Sequence, residues 1–141
     1  MNLYFDTSAL IKKYIFEAGS EQVDELMNKA DRVFVSEITE IESYSTFKRL
    51  SVEKAINENE YDILKNEFEF DNQYFDHVGF DENIINTAKS LIEKYQLKTL
   101  DSIQLGSALI LKEEIDYFVA CDEKLIASGK KEGLRIINPV A

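Results

Sequence analysis

The chain has 141 residues, 45% of them hydrophobic, with a formal net charge of −11 and a single cysteine, Cys121. That length suits one domain, residues 1–141, burying roughly 68% of the surface of its unfolded chain without staples, and one cysteine excludes an internal disulfide. The apolar stretch 3–5 is too short for a signal peptide, and no run nears the ~20 residues of a bilayer span, so a cytoplasmic protein is expected.

In chain order, Leu3-Tyr4-Phe5 is a short apolar run ending at Asp6, expected to form a buried strand. Asp6, Thr7 and Ser8 offer N-cap chemistry for a helix over 9–16 that stops before Gly19. A second helix over 20–30 carries Val23, Leu26 and Met27 at helical spacing. Val33-Phe34-Val35 is the next strand, and Ser36 caps a helix running to about residue 50. Residues 58–74 read as a long polar helix with Tyr61, Leu64, Lys65 and Phe68 on one stripe; Tyr61, Phe68, Phe70 and Tyr74 are read first as core. A weak strand over 77–80 precedes a helix capped by Asp81 and ending at 95, with Ile84, Ile85, Ala88, Leu91 and Ile92 inward. Residues 99–112 make the most buried helix, since nothing from Ser102 to Leu111 is charged. A strand over 117–121, a helix over 122–131 and a strand over 135–137 complete the chain. Short apolar strands alternating with helices imply an α/β fold with a parallel sheet covered on both faces.

Four acids stand apart by placement. Asp6 and Asp122 each follow a strand directly, where ligands bind in open parallel sheets; each would equally suit a helix cap. Asp101 opens the uncharged helix, so its carboxylate faces desolvation unless it is paired or metal-bound. Glu42 lies in mid-helix, sharing a face with Ile38, Ser45 and Arg49; the structural alternative for it is an ion pair with Arg49. Carboxylates crowded together cannot all ionise without a cation. Mg²⁺ or Mn²⁺, which prefer oxygen ligands, would relieve them. Such an ion lowers the pKa of a bound water and neutralises charge at phosphorus, the chemistry of phosphodiester hydrolysis. It also offsets the negative surface, which otherwise opposes nucleic acid.

Other chemistries find little support. His77 is the only histidine, which excludes a paired-histidine ribonuclease. There is no Gly-rich phosphate loop, no CxxC and no His/Cys cluster for zinc. Cys121, without a histidine partner, reads as a buried strand residue.

The stretch Tyr4-Phe5-Asp6-Thr7-Ser8-Ala9-Leu10-Ile11-Lys12 resembles the opening of many PIN domains. Ser36 through Glu42, with Arg49 beyond, is similar to their second acidic motif. Leu97-Lys98-Thr99-Leu100-Asp101 is similar to the third, and Phe118 through Leu125, containing Asp122, to the fourth; Gly133 through Pro139 is also typical. The resemblance, to ribonuclease toxins of the VapC type, covers the whole chain in order. It implies a three-layer α/β/α fold around a mostly parallel sheet of about five short strands. It also implies an Asp6–Glu42–Asp101–Asp122 cluster binding Mg²⁺ or Mn²⁺ and cutting RNA, with Ser8 and Thr99 as supporting hydroxyls. A homodimer and a cognate antitoxin that blocks the site are implied partners. Two positions depart from the pattern: Ala120 stands where many members carry Ser or Thr, and Gln104 where many carry His. Arg49 and Lys12 are the cations expected to meet RNA phosphates. The expected activity is metal-dependent endoribonuclease, leaving a 5′-phosphate and a 3′-hydroxyl. The alternative, motivated by Ala120 and the acidic surface, is a catalytically weak PIN-like module that binds RNA or protein.

Overall fold

The computed structural model describes all residues, Met1–Ala141. In the first strand, β1 (Asn2–Phe5), Leu3, Tyr4 and Phe5 are all fully buried. Successive side chains of a strand point to opposite faces, so β1 is covered on both sides. Leu3 and Phe5 join a core that also holds Val35, Phe47, Phe68 and Val119, whereas Tyr4 joins one holding Phe34, Leu105, Phe118 and Leu125. These two cores are the two seams of an α/β/α sandwich.

The remaining strands are β2 (Arg32–Ser36), β3 (Asp76–Val78), β4 (Tyr117–Val119) and β5 (Ile136–Ile137). All five pair in parallel, in the order β3-β2-β1-β4-β5. The sheet is therefore wholly parallel, a stricter arrangement than the mostly parallel one expected. On one face lie α1 (Thr7–Leu10), α2 (Ser20–Lys29), α3 (Ile38–Val52) and α4 (Glu58–Asn72). On the other lie α5 (Glu82–Tyr95), α6 (Thr99–Ile110) and α7 (Glu123–Lys131).

Local chemistry explains most boundaries. Asn57 and Glu60 close a reciprocal capping box at the start of α4. Asp81 accepts from the Ile84 N–H at 3.0 Å, capping α5 as expected. Ser36 ends β2 and its hydroxyl accepts from the Ile38 N–H at 3.2 Å, so it serves the start of α3 from within the strand.

Several expectations need correction. The helix over 9–16 is only α1 plus a single 3₁₀ turn, Ile11–Lys13. Tyr14 leaves the helix to insert its ring against Phe47 and Phe68, with centroids at 6.1 and 5.7 Å. The chain then reverses through Gly19 at φ +93°, where a Cβ would meet Val140 Cγ1 at 2.9 Å. Ile85 and Ile92 are exposed, because the inward stripe of α5 is only as wide as Ile84, Ala88 and Leu91. Phe68 is core and Tyr61 half-buried, but Phe70 and Tyr74 are exposed and pack edge-to-face on each other. The third strand lies at Asp76–Val78 rather than 77–80, and Phe80 is exposed.

Candidate active site

The strand order reverses at β1: the chain first extends the sheet toward β2 and β3, then returns to β4 on the other side. In open parallel sheets ligands bind beyond the carboxyl ends of the strands at such a point. Asp6 follows β1 there, and its backbone N–H donates to the carbonyl of Val119 at the end of β4 at 3.0 Å. Its side chain makes no cap hydrogen bond with α1; it accepts instead from the Ser8 hydroxyl at 2.7 Å. Asp6 is only 6% exposed. Burial pushes its pKa from 3.8 up to about 7, and the nearby charges of Glu42 and Asp101 push the same way against the hydrogen bonds from Ser8 and the Thr7 backbone.

Glu42, in the second turn of α3, is held by donors from two other elements. Its Oε1 accepts from the Thr7 hydroxyl at 2.8 Å and from the Gln104 amide at 2.9 Å. The ion pair with Arg49 does not form; Glu42 belongs to none of the ion pairs of the chain. Asp101 sits in the first turn of α6 behind the N-cap Lys98. Partial burial raises its pKa, with Asp122 and Glu42 adding to the rise and Lys98 and Lys124 opposing it. Asp122 is exposed and does cap α7, accepting from the Leu125 N–H at 2.8 Å. Asp6 therefore feels Glu42 and Asp101, and Asp101 feels Asp122 and Glu42.

Beside them opens a cleft of about 650 Å³, lined by Thr7 and Ser8, by Glu42, Ser45 and Arg49 of α3, and by Ile41 and Leu100. Arg49 is thus brought to the cleft with Glu42. Lys12 is half-buried and paired with Glu17 at 2.9 Å. Thr99 is exposed at the start of α6, where its carbonyl accepts from the Ser102 hydroxyl at 2.6 Å. Ala120 is fully buried and its N–H donates to Ile137 at 3.1 Å. Cys121 is half-buried; burial raises its thiol pKa, which disfavours the thiolate.

Residue patterns alone did not single out Thr7 and Thr39. Both are buried and their hydroxyls meet at 2.9 Å. Gln104, noticed only as a departure from a motif, reaches both of them as well as Glu42.

As the side chains stand, no three carboxylate, imidazole or thiol groups are close enough to cage an ion. The donor set nevertheless fits a hard divalent cation: the groups are all oxygen donors from four separate segments, and the innermost, Asp6, has its carboxylate form disfavoured by burial and by its acidic neighbours.

A family model described as PIN domain matches residues 3–131. No curated protein matches the sequence. Among solved structures the chain is similar to a toxin–antitoxin complex from Klebsiella pneumoniae, with TM-score 0.70, 19% identity and 97% of each chain covered. It is similar to FitAcB from Neisseria gonorrhoeae, with TM-score 0.73, 16% identity and 97% of each chain covered. It is also similar to VapC20 from Mycobacterium tuberculosis, described as a sarcin-ricin-loop-cleaving toxin. There the TM-score is 0.67 at 13% identity, over 90% of this chain and 95% of that one. At these identities the likeness is one of fold.

Proposed function

This chain belongs to the PIN domain family, whose members are in general nucleases, and from that premise we propose that it is a metal-dependent endoribonuclease, the toxin of a toxin–antitoxin pair. The observation that carries the reading is Asp6: a buried carboxylate with Glu42 and Asp101 as electrostatic neighbours, beside an open cleft at the strand ends. A folded chain tolerates that arrangement best when a cation binds there.

In this reading Asp6, Glu42, Asp101 and Asp122 hold Mg²⁺ or Mn²⁺, and residues 1–141 act as one unit. When bound, the ion supplies Lewis acidity at the phosphate and lowers the pKa of water. Ser8 orients one oxygen of Asp6 through its 2.7 Å hydrogen bond, and Thr99 supports Asp101 from two residues away. Arg49 offers a cation to the RNA backbone from the cleft wall. Lys12 contributes less, because Glu17 already neutralises it. Water attacks phosphorus in line, and the 3′-oxygen leaves with a proton, giving a 5′-phosphate and a 3′-hydroxyl.

The toxin role draws support from neighbours of the same fold that are toxin–antitoxin assemblies, one of them described as cutting the sarcin-ricin loop. A cognate antitoxin that occludes the cleft and a homodimer belong to the same proposal. No helix is long and apolar enough to cross a membrane, and we place the activity in the cytoplasm, where RNA is available. The test is cleavage of total and transfer RNA by purified, antitoxin-free protein, with Mn²⁺ or with EDTA, beside Asp6→Asn. Cutting that needs the ion and is lost in the variant is expected. Intact RNA with well-folded wild-type protein would instead favour an RNA- or protein-binding module.

A further inference from the structure

Gln104 is 1% exposed, in the middle of α6. A buried amide is costly unless its groups are paired, and this one is paired entirely with other side chains. Its Oε1 accepts from the Tyr4 hydroxyl at 2.7 Å. Its Nε2 lies 2.9 Å from Glu42 Oε1, 2.9 Å from Thr7 Oγ1 and 3.2 Å from Thr39 Oγ1.

Only one orientation of the amide satisfies this set. Were it reversed, its oxygen would face Glu42 Oε1, acceptor against acceptor, and its NH₂ would face the phenol. With the phenol donating, each proton has a destination. Tyr4 donates to Gln104, and Gln104 donates to Glu42 and to the threonine pair. Thr39 donates to Thr7, and Thr7 donates to Glu42 Oε1 at 2.8 Å. Two donors thus converge on Glu42 Oε1, whereas Oε2 accepts none from the protein.

We propose that Gln104 is a positioning residue: oriented by Tyr4, it pins Glu42 Oε1 and leaves Oε2 as the single oxygen presented to a divalent cation. The inference rests on the metal-dependent reading above and deepens it. The chain of donors starts inside the second core and ends at the cleft, so a rigid sheet residue sets the angle of a carboxylate on α3. Partners of this kind orient metal ligands, and losing one typically costs about 10- to 100-fold in metal affinity.

The experiment is titration of the full, RNA-free chain with Mn²⁺, followed by the electron paramagnetic resonance of the free ion, with thermal unfolding run in parallel. Wild type, Gln104→Leu and Tyr4→Phe are compared. Gln104→Leu is expected to bind Mn²⁺ about 10- to 100-fold more weakly. Tyr4→Phe, which keeps the amide but removes its orienting donor, is expected to bind more weakly by a smaller factor while unfolding cooperatively. A purely structural role would lower the unfolding temperature and leave Mn²⁺ affinity untouched, and that result in either folded variant would overturn the inference. If Gln104→Leu does not fold, Tyr4→Phe decides alone. Absence of Mn²⁺ binding by the wild-type chain would overturn the metal reading itself, an outcome distinct from equal binding by wild type and variants.

Discussion

Asp6 should destabilise the metal-free protein. Its carboxyl titrates at about 7 in the fold against 3.8 in the open chain. The unfolded chain therefore releases this proton first as pH rises, and the associated stability is complete below pH 3.8 and lost as pH passes about 7. At about 1.4 kcal/mol for each pH unit, the loss at pH 8 amounts to roughly 4 kcal/mol. Asp6→Asn removes the charge and keeps an acceptor for Ser8, so in EDTA at pH 8 it should recover a large part of that, about 2–4 kcal/mol. For a chain of this length that raises the unfolding temperature by roughly 5–15 °C. The gain should shrink steadily below pH 7 and be small near pH 4, where Asp6 is protonated in the fold and only about half ionised in the open chain. Urea unfolding of both proteins across pH 4–8 measures it. An Asp6→Asn variant less stable than wild type at pH 8 would refute the argument, because it would mean the carboxylate is satisfied within the fold as it stands.

Three further outcomes separate structural from chemical roles. Asp122→Asn should keep the α7 cap and the wild-type unfolding temperature yet lose RNA cleavage, whereas Asp122→Ala should lose cleavage and about 1 kcal/mol of stability as well; calorimetry beside an RNA assay distinguishes them. Arg49→Ala, placed in an Asp6→Asn background to prevent turnover, should bind single-stranded RNA more weakly and flatten the plot of log affinity against log salt by about 0.7. Lys12→Ala should change that slope less. Phe68→Ala removes a fully buried ring that packs edge-on against Tyr14, Tyr44 and Phe47; it should cost about 3–5 kcal/mol by urea titration.

Much of this architecture is readable in the residues. The runs at 3–5 and 33–35 are short, apolar and followed at once by Asp or Ser, and both lie within buried parallel strands. The uncharged stretch after Asp101 became the most buried helix, with every residue from Ser102 to Ala108 inside. What periodicity misses is the width of a buried stripe, so Ile85 and Ile92 sit beside the inward face of α5 rather than on it. The Glu42–Arg49 pair does not form because Glu42 Oε1 is already held by Thr7 and Gln104, two turns of helix away from Arg49. Asp122 illustrates a different point, since capping and membership of the acidic group are compatible in one side chain. Gln104 could not be foreseen, because its partners Tyr4 and Thr7 lie about a hundred positions away and meet it only through the strand order.

The ends of the RNA fragments test the central claim most directly. A defined single-stranded substrate is cut in Mn²⁺ and its new termini are identified by mass spectrometry. A 5′-phosphate and a 3′-hydroxyl are expected, since water is the attacking group in the proposed acidic site. A 2′,3′-cyclic phosphate with a 5′-hydroxyl would mean that the RNA's own 2′-oxygen attacks, and would contradict the roles proposed here for Asp6, Glu42, Asp101 and Asp122.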